Sequence, residues 1–549
     1  MAITDEKVPA SKDLERNVQW LSRELGVKKS FDMICREITF AGRNAAIFFV
    51  DGFAKDEIML WILRALSQIR AEEIEPDTFD KVFKKHVNYI EVESVDDLHQ
   101  VVDAVLAGPI ALVIDGEDRV IIIDAREYPA RNPEEPDLER VVRGSRDGFV
   151  ETIVFNTALI RRRVRDPKLR MEMMQAGQRS KTDICVCYIE DIANPETVDM
   201  IKERIKAIKM DGLPMAEKSV EELINPGSMW NPFPRVRYTE RPDVAATHLL
   251  EGHVLVLVDT SPSIMILPAT LFHHVQHAEE FRQSPAVGAF LRWVRFAGII
   301  VSVFVLPLWY LFSLEPQLLP PTLRYIGPEK VGQVPLIWQL LIAEGGINLM
   351  RMAAVHTPNA LTTALGLIAA VLIGDMAVNI GLFTPEVVLY VAVAAVGTFA
   401  TPSYELGMAN SLVRIILLVS VAVARLPGFI GALLVILLYL VRTTSFGVPY
   451  LWPLIPFNAM ALKAVLVRSP VPIQNTRPSI LRPLDPDRQA APALKPIPGE
   501  KRGRGGNKRK EGKENNEKGK EENTLLMQDQ AGQRDRNDFR EWAGSRRKE

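Results

Sequence analysis

The sequence predicts two similar α/β lobes, a duplication, followed by an α-helical transmembrane domain and a disordered C-terminal tail. Three observations lead there. The same order of strand, helix and hairpin signals occurs twice in the first 290 residues. Leu361 to Ala424 then holds 64 residues with four charges, Asp375, Glu386, Glu405 and Arg414. The last 51 residues, by contrast, carry 15 basic and 11 acidic side chains. Averaging hides all of this, because 549 residues with 47% hydrophobic content and a net charge of -2 describe a soluble enzyme equally well. The near-neutral charge excludes a globally basic nucleic-acid binder, and no nucleic-acid partner is expected. Cys35, Cys185 and Cys187 are too few for a disulfide framework and lack zinc-ligand spacing, so the soluble part reads as facing a reducing compartment. The first residues lack the apolar core of a secretory signal.

Residues 1–30 read as an N-terminal extension and 31–142 as the first lobe. In it, strand Ala45 to Val50 leads through Asp51 and Gly52 into an apolar helix near Lys55 to Ile69. A helix from Asp96 to Leu106 follows, then a β-hairpin of Pro109 to Ile114 and Val120 to Asp124 around an Asp-Gly turn. Residues 143–180 read as a basic helical connector, with Phe149, Ile153 and Ile160 on one stripe. Residues 181–290 repeat the lobe: strand Ile184 to Ile189, a helix with Asn194 as N-cap and Pro195 at its first position, helix Asp243 to Leu250, and a hairpin of His253 to Val258 with Ile264 to Leu267.

Residues 291–469 read as the transmembrane domain. Phe296 to Leu314 and Leu361 to Phe383 are each near the roughly 20 apolar residues that a bilayer core requires, and Glu386 to Pro402 is a third span. Leu412 to Val441 is interrupted by Arg425, Pro427 and Gly428, which makes it one kinked span or a hairpin. Gln333 to Met350 contains Glu344 and a glycine pair, and spans, re-enters or lies in the interface. Arg292, Arg295, Arg442, Lys463 and Arg468 flank the first and last spans, which puts both termini in the cytoplasm and makes the number of spans even, four or six. Residues 470–549 read as the tail, extended over the eight prolines of Pro470 to Pro498 and disordered beyond them.

No phosphate-binding glycine loop, HExxH or nucleophile elbow occurs, so no enzyme, catalytic residue, metal or cofactor is expected. His273, His274 and His277 are the most metal-like cluster, but polar packing explains two histidines four apart better. Cys185 and Cys187 read as buried apolar thiols. An ionised Asp at mid-bilayer costs about 2.5 to 3.5 kcal/mol, so Asp375 must face protein or water. It then forms either an interhelical hydrogen bond or, in a ring of subunits, part of a cation-selective pore lining. Asn379, one turn on, shares its face, and Val371 and Leu372 on the preceding turn complete the candidate lining. Glu344 raises the same question as a candidate gating or re-entrant residue. Arg143, Arg146, Arg161, Arg162 and Arg163 either complement a helix dipole or form an interface to a neighbouring subunit or lipid head groups.

Several runs resemble the A-subunit family of bacterial spore germination receptors, the GerA family. They are Ser445 to Tyr450 (SFGVPY), Thr239 to Asp243 (TERPD), Leu250 to Gly252 (LEG), and RGSRDGF followed by LIRRR within Arg143 to Arg163. Val254 to Pro268, Phe272 to Glu280, Arg292 to Phe296 and Phe399 to Met408 resemble one branch of that family rather than its nutrient-receptor subunits. The resemblance implies a protein of the inner spore membrane with lobes on the cytosolic side and a role in germination. It further implies a homo-oligomeric channel, other spore membrane proteins as partners, monovalent cations as permeants, and Leu361 to Phe383 as the pore helix. A non-conducting scaffold and a small-solute carrier are the alternatives.

Overall fold

The computed structural model describes residues 7–87, 89–126, 139–225, 230–327, 333–356, 376–470 and 474–488. In the first lobe, α1 (Leu14–Leu25) begins at Asp13, whose carboxylate accepts from the amides of Glu15 and Arg16. It is followed by β1 (Met33–Phe40), β2 (Arg43–Val50), α2 (Asp56–Ser67), β3 (Val92–Val95), α3 (Leu98–Ala107), β4 (Ile110–Ile114) and β5 (Val120–Ile123). The strands form one antiparallel sheet in the order β1-β2-β4-β5-β3. Side chains alternate across a strand, so β2 buries Ala46, Phe48 and Val50 against α1 and α3 while Ala45 and Ile47 pack against α2 on the other face. Helices thus cover both faces of the sheet, which explains the continuous burial of β4 and β5.

The second lobe runs α4 (Ile153–Arg163), β6 (Leu169–Ala176), β7 (Thr182–Ile189), α5 (Pro195–Lys206), α6 (Ala216–Ile224), β8 (Arg237–Thr239), α7 (Pro242–Glu251), β9 (Val254–Val258) and β10 (Ile264–Leu267). Its sheet order, β6-β7-β9-β10-β8, repeats the first. The likeness extends to single hydrogen bonds. Asn17 of α1 bonds both backbone groups of Ser11, and Asn156 of α4 does the same with Val150. The Asp115 carboxylate accepts from the Leu14 amide, and the Asp259 carboxylate accepts from the Ile153 amide. Gly116 and Thr260, both at positive φ, donate to the carbonyls of Lys12 and Glu151. The basic segment therefore contains the first helix of the second repeat rather than a long connector, and that helix starts at Ile153, with irregular chain before it.

The third part is helical: α8 (Pro285–Leu314), α9 (Leu336–His356), α10 (Pro385–Phe399) and α11 (Tyr404–Arg442), then the short hairpin β11 (Thr444–Ser445) and β12 (Val448–Pro449), and α12 (Ala459–Leu466). Two of these helices, α8 and α11, are long and apolar enough to cross a membrane. α9 is continuous through Glu344 and its glycine pair. α11 breaks at Ala424 and Arg425, the latter at φ 48°. Residues eight apart in an unbroken helix are separated by about 12 Å, yet Gly428 lies so near Ser420 that a Cβ there would collide with its carbonyl. Of the two alternatives for this segment, the structure forms the hairpin. Leu412, Ile416, Val419 and Val423, spaced along one face of its first arm, are all exposed.

α10 crosses α8 at a glycine contact. A Cβ on Gly397 would collide with the carbonyl of Gly298 and lie 3.0 Å from the Ser302 Cβ. Gly397→Val is expected to cost about 1–3 kcal/mol by overpacking, read as a lower melting temperature in detergent. An unchanged melt would show that the helices do not meet there.

Part of the expected tail is folded. Within Gln474–Arg488, Thr476 bridges to Asp487, Arg477 Nε donates to the Leu250 carbonyl at 2.9 Å, and the Leu484 amide donates to the Ile192 carbonyl at 3.0 Å. Arg488 pairs with Glu251 at 3.4 Å. The prolines suit this segment because the amides of Arg477, Leu484 and Arg488 do the donating, while Pro486 only has to accept.

Candidate functional site

Of the candidate lining residues, Val371, Leu372 and Asp375 lie outside the described residues. Asn379 ends a short helical turn, Ala377–Asn379, and is exposed. Glu344 is placed most informatively: it is 1% exposed and bonded to Arg414, also 1% exposed. Arg414 Nε donates to Glu344 Oε2 at 3.1 Å, and Nη2 donates to Oε1. Nη1 donates to the Ser302 carbonyl at 2.5 Å and to Thr398 Oγ1 at 3.1 Å, while Nη2 also reaches Ser411 Oγ at 3.3 Å. All five guanidinium N–H donors are used, and their acceptors come from α8, α9, α10 and α11. Asn348, one turn along α9, donates to Glu344 Oε1 at 3.2 Å. Glu344 therefore does not lie in the membrane interface, since its carboxylate is bonded to the arginine at the hub of a four-helix junction.

A second ionic cluster joins the lobes to the helices. Glu280, fully buried, accepts from Arg292 Nε at 2.6 Å and pairs with Arg295, both near the start of α8. Arg292 continues to the carbonyls of Ala464 and Val465 in α12, at 3.0 and 2.7 Å. The turn between β11 and β12 adds to this joint. Ser445 donates to the Arg235 carbonyl at 2.6 Å and accepts from the Ala269 amide at 3.1 Å. Phe446, at φ 46°, enters the core of the second lobe, and Tyr450 packs beside Phe233 and His274.

The histidines gather here as well. Residues 271–274 form a 3₁₀ turn and His277 caps the next short helix, so His273 and His277 do not share a helix face. Instead His253 sits 5.0 Å, ring to ring, from both His248 and His273. His248 Nδ1 bonds the Val244 carbonyl at 2.8 Å, and its Nε2 faces Arg237 at 3.4 Å. Among the described residues no group of three or more His, Cys, Asp or Glu could hold a metal. Burial, reinforced by the Arg237 charge, lowers the histidines, His253 to about 4 and His274 to about 3.

The sign of the resulting pH dependence follows. Above the ordinary value of 6.5, folded and unfolded chains are both neutral at these sites and stability is flat. As pH falls from 6.5 towards 4, the unfolded chain takes up protons that the folded one excludes, so stability drops by about 1.4 kcal/mol per pH unit for each such histidine. Melting curves between pH 7.5 and 5 are expected to show this fall, and His253→Gln to make it shallower. A flat profile over that range would contradict the buried cage.

The arginines of the candidate interface are divided. Arg161 is 1% exposed and bonds the Asp32 carboxylate at 2.8 and 3.0 Å, so its placement at a subunit surface is corrected: it joins the two lobes. Arg163 pairs with Asp147. Arg143, Arg146 and Arg162 are exposed, and Arg146, Arg162 and Arg163 line a surface cavity of about 510 Å³ together with Phe155. The TERPD run is structural, with Arg241 completely buried on Asp243 and on the carbonyls of Glu139 and Ser145. Cys185 and Cys187 are fully buried, which pushes both thiols up and agrees with an apolar role.

Residues 19–480 match the Bacillus/Clostridium GerA spore germination protein family. The chain belongs to the GerA family. It is 49% identical over 485 residues to stage V sporulation protein AF of Bacillus subtilis (strain 168), covering 88% of this chain and 98% of that protein. It is 30% identical over 461 residues to spore germination protein GerLA of Bacillus cereus, covering 83% and 93%. Among solved structures, the N-terminal domain of the A subunit of the Bacillus megaterium spore germinant receptor GerK3 is similar, with 27% identity, 48% of this chain and 98% of that chain covered, and a TM-score of 0.39. In this GerA-family chain the SFGVPY run is the turn that plugs the second lobe. Arg414, Glu280 and Asp32 were missed as sites. Arg414 alone carried a signal, as one of four charges in the 64 apolar residues.

Proposed function

We propose that this GerA-family spore germination protein is a multi-pass protein of the inner spore membrane that assembles with copies of itself into a cation-conducting pore. The observation that carries the reading is the joint between lobe and helices. Glu280, Arg292, Arg295 and the Ser445–Tyr450 turn tie the second lobe to both the first and the last long helices. A shift of the lobes would therefore move the helices with them, and the four-helix junction at Arg414 gives those helices one defined packing to leave. A partner that binds the two packings unequally would drive the change.

The order of helix ends supports an even number of crossings, with the start of α8 and the end of α11 both on the lobe side. α8 starts at the joint, and Glu315 just beyond its far end lies 3.7 Å from Arg425 at the α11 break. Arg351 near the end of α9 reaches Met408 in α11, whereas the Thr384 amide before α10 bonds Gln339 near the start of α9. Asp375 lies outside the described residues, between His356 and Met376. The exposed arginines Arg143, Arg146 and Arg162 face a neighbouring subunit or other spore membrane proteins.

Liposomes containing the purified chain are expected to release potassium, and Asp375→Asn to change the cation selectivity. No flux from a correctly folded, oligomeric preparation would remove the channel reading and leave a non-conducting scaffold. A monomer that moves a small solute would point to a carrier.

A further inference from the structure

A cavity of about 680 Å³ opens between α8, α9, α10 and α11 at the ends of these helices nearest the second lobe. This is within the range of small-molecule sites, about 300–1,000 Å³. Its lining includes Arg295, Arg351, His277, Phe399, Ser403 and Tyr404 and, among the described residues, no acidic side chain. Arg295 shares its charge with Glu280. Arg351 does not share its own: among the described residues it forms no ion pair, and the acceptor it reaches is the Met408 sulfur at 3.2 Å. A thioether is a weak acceptor, so most of the guanidinium donors have no strong partner.

The position of Arg351 is nevertheless well defined. Its guanidinium lies 5.0 Å from the Phe399 ring centroid and 5.8 Å from that of Tyr404. Two aromatic faces orient the planar fork without using its N–H groups. The first arm of α11 starts at the same cavity with Ser403 as its cap, but Glu405 in its first turn, which accepts from the Ser403 hydroxyl at 2.9 Å, already answers that end of the helix dipole. A fixed, partly buried fork, a second arginine and an apolar wall of Ile347, Met350 and Phe399 suit an anion with an apolar body.

We infer that this cavity binds a phosphate group through Arg351, either as the head group of an anionic lipid or as a free phosphate. The site stands whether or not the chain conducts ions, and its test needs no flux. The full chain is placed in nanodiscs of phosphatidylcholine, and melting temperature is followed as inorganic phosphate is added. A second set of nanodiscs contains phosphatidylglycerol and no added phosphate. A rise in the first arm assigns a free phosphate, and a rise confined to the second assigns a lipid head group. In whichever arm responds, Arg351→Gln is expected to weaken binding by at least about tenfold, as loss of a charged hydrogen bond implies. Ala400→Trp keeps every charge and fills the cavity, and is expected to abolish the response, which preserves the test if the Arg351 variant does not fold. No rise in either arm, or an undiminished rise in both variants, would overturn the site.

Discussion

Arg414→Met is expected to destabilise the helical domain by about 3–5 kcal/mol, because it leaves the Glu344 carboxylate buried without its partner. The side-chain volumes are similar, so a cavity contributes little. The penalty comes from the stranded charge and from the acceptors on Ser302, Thr398 and Ser411 that lose a donor. The double variant Glu344→Met with Arg414→Met is expected to recover much of the loss, since replacing a whole buried pair with apolar side chains is often neutral. The difference between the double variant and the sum of the single ones measures the coupling. Fluorescence of Trp309, 2% exposed and 4.9 Å from the Tyr390 ring, reports on melting in this domain. A single variant that melts with the wild type would show that the pair does not hold the helices. In the channel reading, the double variant should remain folded yet open more readily, because the joint that specifies one packing has been replaced by contacts that slide.

Asp32→Ala is expected to cost a similar 3–5 kcal/mol, but at the junction of the two lobes. Arg161 would lose both of its carboxylate contacts and retain the Ser30 hydroxyl and the carbonyls of Asp166 and Leu169. Ser30 is bonded in turn to Asp32 and to the Met171 amide, and the Phe31 amide donates to the Met171 carbonyl, so the damage reaches β6. Lys29 and Glu190 provide the contrast. They are also paired across the lobes, at 3.1 Å, but are 65% and 39% exposed. Lys29→Ala is therefore expected to change stability by at most about 1 kcal/mol, and less at high salt. Urea melts of the full chain at low and high ionic strength distinguish the two. A loss on Asp32→Ala that added salt reproduces in the wild type would mean that the pair is not shielded by burial.

The six strands legible in the sequence are the inner ones of each sheet, β2, β4 and β5, and β7, β9 and β10. Covered on both faces, they are apolar runs such as IALVI and VLVLV. The strands that escaped notice are the four edges. β1 and β6 mix charges into their apolar residues, as in MICREITF and LRMEMMQA, and β3 and β8 are four and three residues long. Short or charged strands are how sheets protect their edges, so the same physics that keeps the lobes from aggregating removes the pattern. Arg161 escaped notice for a related reason: three arginines in a row at a helix end suggest a dipole complement or a surface, while Arg161 alone turns inward to a carboxylate 129 residues away.

By itself the sequence determined the duplication, the inner strands, the apolar helices among the described residues and the membership of a germination family. Each depends on local periodicity or on a run of residues, and a local pattern survives without knowledge of its neighbours. Tertiary structure alone decided that α11 folds back on itself, that Glu344 answers Arg414, that Asp32 answers Arg161, and that Gln474–Arg488 returns to the second lobe. A buried charge is tolerable only beside its partner, and the partner's place in the chain is set by packing rather than by spacing.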